Sequence, residues 1–323
     1  MESFLQDLTD EIHSIQSFCD QKRSQDSVDD HSLLDKSVKN CKDAQIVVET
    51  LVQSDLTLPL ADSTMDRINN ALSLYVQALL DQTYYNECKL LDQNFLVTNA
   101  DDVVQSIVDE LNKPFKLEEK LRTMYSAGKD IFSIEIKECL FWRCGALIYM
   151  FCHTIKNTKK NLNSPGNRIL QLLKIGIAFL IRMLNIRKAP NSDDKDEDIV
   201  YNDEATFKLI KQGIYSDTHV LAYAYAGEMC YWHCYYFKDD AIQKEQITVS
   251  SNIGSQTCNN NNDEHLNRYS EISSNIILSK FNFRTNGLAL LDQYLNVVNG
   301  PLKSYGWDSK KIEIMRNILQ SQN

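Results

Sequence analysis

The feature that most limits how this chain can fold is a pair of long apolar runs. The first, Ile134–Ile155, reads IEIKECLFWRCGALIYMFCHTI, and between Glu138 and Lys156 its one formally charged residue is Arg143. The second, Asp217–Lys238, reads DTHVLAYAYAGEMCYWHCYYFK, with Glu228 as the one formal charge between its ends. A proline-free run this long and apolar is a helix buried on most of its circumference, so other helices must pack round it. Two such runs predict an all-α protein: a single large irregular helical bundle, or stacked helical hairpins, of about ten helices. The 5 prolines and 10 glycines in 323 residues point the same way, because a turn-rich β fold uses more of both.

The remaining helices follow from apolar spacing. Phe4, Leu5, Leu8, Ile12, Ile15 and Phe18 mark an amphipathic helix over 3–21, and a second is expected from Leu33 to Leu51. Together they predict an amphipathic N-terminal segment, 1–60, ahead of a main all-α domain, 61–323. A long helix opens near Ser63 or Thr64, with Asp66 in its first turn, and carries Ile68, Leu72, Tyr75, Leu79 and Leu80. A short acidic helix over 99–111 is expected to stop near Pro114, and a weaker one over 115–127 to stop near Gly128. Asn167–Lys188 predicts a further helix, Asp203–Lys211 a short one ended by Gly213, and 276–299 and 308–320 the last two. The acidic stretch at about 189–203 and the polar, Asn-rich stretch at about 240–270 are expected to be disordered loops.

Charge and cysteine usage narrow the functional classes. The formal net charge of −10 argues against a nucleic-acid binder. It is unevenly spread: residues 1–110 hold 21 acids and 7 bases, whereas 156–188 hold 8 bases and no acid. On a helical wheel Arg168, Lys174 and Arg182 fall on one side of their helix, a candidate docking face for an acidic partner or an anionic membrane. The 9 cysteines lie mostly inside apolar helical runs, and the N-terminus is acidic and amphipathic rather than a leader. No stretch of about 18 apolar residues is free of charge, so no membrane span is expected. A cytosolic protein with reduced thiols is the economical expectation.

No catalytic motif stands out. Cys230, His233 and Cys234, with Cys144, Cys152 and His153 upstream, could be arranged as a metal site, but C-x-x-H-C lacks a paired CxxC, and buried cysteine is ordinary core packing. Gly128-Lys129 lacks the upstream glycine and the following Ser/Thr of a phosphate loop. Cys152 and His153, as sequence neighbours, point to different faces of their helix. These observations predict a non-enzymatic protein without a cofactor. Arg143 and Glu228, each costly to bury alone, are a candidate buried ion pair joining the two apolar helices.

Five stretches carry a resemblance: LSLYVQALLDQTYYNECKLLDQNF, KECLFWRCGALIYMFCHTI, GIAFLIRMLNIR, GIYSDTHVLAYAYAGEMCYWHCYYF and NGPLKSYGW. Between about residues 64 and 310 the chain resembles the family of the Rab-interacting subunit of the Mon/Ccz exchange-factor complex. The resemblance implies a non-enzymatic adaptor that binds the late-endosomal Rab GTPase together with its Mon/Ccz exchange complex. It further implies support of Rab stability and recruitment to damaged mitochondria in mitophagy. The partners expected are thus that Rab GTPase and the Mon/Ccz exchange complex, with no nucleic acid and only peripheral membrane contact through partners. The implied location is the cytosol, with recruitment to mitochondria or late endosomes. The alternatives are a structural helical subunit of another assembly and a Cys/His metal-binding protein.

Overall fold

Apolar residues recurring every three to four positions become helices throughout, because only that period gathers them on one buried face. The computed structural model describes residues 1–25, 31–53, 62–124, 131–158, 166–187, 204–235 and 281–321. Among them are ten α-helices: α1 Glu2–Gln25, α2 Ser32–Val52, α3 Asp62–Asp92, α4 Ala100–Met124, α5 Ile134–Thr158, α6 Gly166–Ile186, α7 Glu204–Lys211, α8 Asp217–Tyr235, α9 Phe283–Asn299 and α10 Lys310–Ser321. A short 3₁₀ turn, Lys303–Tyr305, joins the last two. The protein is all-α, as expected. The loops expected at about 189–203 and 240–270 lie outside the described residues.

The chain divides into two compact units, Met1–Leu140 and Phe141–Asn323. In the first unit α1 buries Phe4, Leu5, Leu8, Ile12 and Ile15, and α2 buries Leu34, Val38, Cys41, Val48 and Leu51. Helix α1 packs with α2, α3 and α4, and α2 packs with α3, so the expected N-terminal segment shares one core with the helices that follow it. Ser37 sits in the α2–α3 contact and donates to the Ala78 carbonyl at 2.8 Å, which satisfies a buried hydroxyl. Lys113 of α4 bridges Glu11 of α1 at 2.8 Å and Glu110 of its own helix at 2.9 Å. Lys120 of α4 pairs with Asp7 of α1.

The break expected at Pro114 does not occur; α4 is one helix with that proline inside it. A proline there removes one helical hydrogen bond and crowds the carbonyl four residues back. The apolar stripe nevertheless keeps its phase across it, from Val104, Ile107, Val108 and Leu111 to Leu117 and Leu121, and Pro114 itself is buried. Continuing the helix keeps all of these in one core, and that burial outweighs the local cost.

The second unit is arranged around α8, which packs against α6, α9 and α10 and stacks its aromatics on α5. Close approach is secured by glycines. A Cβ at Gly176 of α6 would lie 2.9 Å from Ile148 of α5 and 3.1 Å from the Met229 sulfur of α8. A Cβ at Gly227 of α8 would lie 2.3 Å from a Leu291 methyl of α9. Helix α6 is long and apolar enough to cross a membrane by length and composition alone. Leu172, Leu173, Ile177, Phe179 and Leu180 are buried in the core, which accounts for its apolarity without a bilayer. Helix α7 ends, as expected, at Gly213, whose φ of 75° permits the closing bonds Ile214 N–H to Leu209 O and Gly213 N–H to Ile210 O, both 2.9 Å.

Candidate functional site

The aromatic residues of α5 and α8 form an alternating stack in the second unit. Trp142 packs on Tyr225 at 5.7 Å between ring centres, Tyr225 on Tyr149 at 3.7 Å and 5°, and Tyr149 on Trp232 at 5.2 Å. His153 closes the stack, 5.7 Å from Tyr149 and 5.9 Å from Trp232. Residues 142, 149, 153 and 156 share one side of α5, because their spacings of seven, four and three each return close to whole helical turns. Lys156 therefore reaches the Trp232 ring, with its ammonium 5.7 Å from the ring centre.

At the edge of this stack lies Glu228, 4% exposed. Its carboxylate takes the Lys311 ammonium of α10 at 2.5 Å and the Tyr149 hydroxyl. Burial raises its pKa, and it does so although the Lys311 and Tyr149 hydrogen bonds and the Lys156 charge all pull the other way. Desolvation thus exceeds pairing. Burial and the neighbouring carboxylate also push the Tyr149 hydroxyl up, so it stays protonated and acts as the donor. His153 is driven below the ordinary imidazole value by burial, Lys311 and Lys156, which favours its neutral form at pH 7.

The partners described for Glu228 are thus Lys311 and Tyr149, and the pairing expected with Arg143 is not among them. The geometry explains the choice. Arg143 stands about 120° round α5 from Tyr149, away from the stripe that faces α8. Lys311 could not have been nominated from local pattern, since it is 83 residues further along the chain. Tyr149 could have been found: it shares the stripe of Trp142 and His153, opposite the equally aromatic α8.

The nominated basic face is less open than the helical wheel implies. Arg168, Lys174 and Arg182 are each half-buried, whereas Gln171 and Asn185 are exposed. Burial lowers the Arg182 pKa, so its charge sits partly out of water. The Cys/His set is dispersed among packing roles. Cys144, Cys152 and Cys230 are buried, and burial raises the thiols of Cys152 and Cys230 away from the reactive thiolate. His233 stacks on Phe283 with 3.9 Å between ring centres. Among the described residues no three His, Cys, Asp or Glu side chains are grouped to hold a metal ion.

These features define a class: an all-helical scaffold whose ordered chemistry is aromatic packing and paired charge. The sequence model of the family described as "RAB7A-interacting MON1-CCZ1 complex subunit 1" matches residues 45–320. The chain belongs to that family. Proteins of that description from Homo sapiens and Danio rerio are similar to it. The human protein is 32% identical over 251 residues, 78% of each chain, and the zebrafish protein 30% identical over 246 residues, 76% of this chain and 77% of its own. The Mus musculus protein is 31% identical over 254 residues, 79% of each chain. No solved structure matches the chain at a significant level.

Proposed function

We propose that this protein is a non-enzymatic adaptor that binds the late-endosomal Rab GTPase, RAB7A in its relatives' names, together with the MON1-CCZ1 complex. The observation that carries the reading is the family match, which spans 45–320 and so takes in α3 to α9 complete and α10 up to its last residue. The structure is consistent with an adaptor's physics: ordered helical surfaces present partners with a pre-organised face and little entropy to lose on binding. The finer role follows from the resemblance noted in the sequence. The adaptor supports stability of the Rab protein and its recruitment to damaged mitochondria in mitophagy, working from the cytosol at late endosomes or mitochondria.

The test is a pull-down of purified protein with RAB7A loaded with GDP or with GTP, each with and without MON1-CCZ1. Capture of RAB7A or of the exchange complex is expected. A nucleotide-release assay with this protein alone should show no acceleration over the intrinsic rate. Failure to capture either partner would leave the alternative, a structural subunit of another assembly. A marked rate acceleration would refute the non-enzymatic reading.

A further inference from the structure

We draw no further inference here: the strongest candidate, the surface patch at the 3₁₀ turn ahead of α10 that holds the exposed Tyr305, carries nothing, because nothing in the structure shows what covers it.

Discussion

The bond between Glu228 and Lys311 fastens α10 to α8, and its energetics can be measured in isolation. Lys311→Ala removes one charged hydrogen bond from a carboxylate that stays buried beneath it. Such a bond contributes roughly 1.5–3 kcal/mol, and breaking a fully buried pair costs roughly 3–5 kcal/mol. The Lys311 side chain is 41% exposed, so solvent screening brings the expected loss down to about 1–2 kcal/mol. Glu228→Gln keeps an acceptor for the Tyr149 hydroxyl and removes the charge that burial disfavours, so its stability should stay within about 1 kcal/mol of wild type. Glu228→Ala leaves that hydroxyl unpaired and a cavity beside it, and should cost about 2–3 kcal/mol. On the Glu228→Gln background, removing Lys311 should cost less than about 0.5 kcal/mol, a coupling of about 1 kcal/mol. Urea unfolding followed by tryptophan fluorescence reads the right unit, since Trp142, Trp232 and Trp307 all lie within Phe141–Asn323.

The pH dependence has a definite sign. Folding raises the Glu228 pKa, so the folded state binds the proton more tightly than the unfolded one. The corresponding stabilisation is complete below the unfolded value, about 4.3, and is lost as the pH rises through the folded value. Wild type should therefore lose stability relative to Glu228→Gln as the pH rises from about 4.3 through the raised folded value. Equal costs of Lys311→Ala in both backgrounds, or a wild-type advantage that grows with pH, would refute the argument.

Two further outcomes follow from packing. Gly227→Ala gains about 1 kcal/mol of helix propensity but places its methyl 2.3 Å from a Leu291 methyl and 2.7 Å from Leu291 Cγ. Overpacking should win, with a net loss of about 1–2 kcal/mol in the same fluorescence assay. In the first unit the hydroxyl of Tyr75, a fully buried residue, has no hydrogen-bond partner among the described residues. Tyr75→Phe should therefore leave thermal unfolding, read by far-ultraviolet circular dichroism, unchanged or raised; a drop of more than about 1 kcal/mol would show that the hydroxyl is satisfied.

What could be read from the sequence was whatever depends on local period. The apolar stripes located the helices, the single charge between Glu138 and Lys156 and the single charge between Asp217 and Lys238 marked two helices deep in a core, and Gly213 marked the end of α7. The ordered wording of five stretches was enough to point to the family. Pairing across the chain was not legible in this way. Pro114 breaks a helix by every local rule, yet α4 runs through it because the residues on both sides share one buried stripe. Arg143 is the right chemical partner for Glu228, yet it stands on the wrong side of α5, while Lys311 of α10 is brought to the carboxylate by the packing of α10 on α8. The wheel put Arg168, Lys174 and Arg182 on a polar face, but only their neighbours in space determined that each would be half-buried. Helical period is a property of a few consecutive residues, so sequence alone settles it. Which charge meets which depends on the rotation and order of packed helices, and only the assembled core decides that.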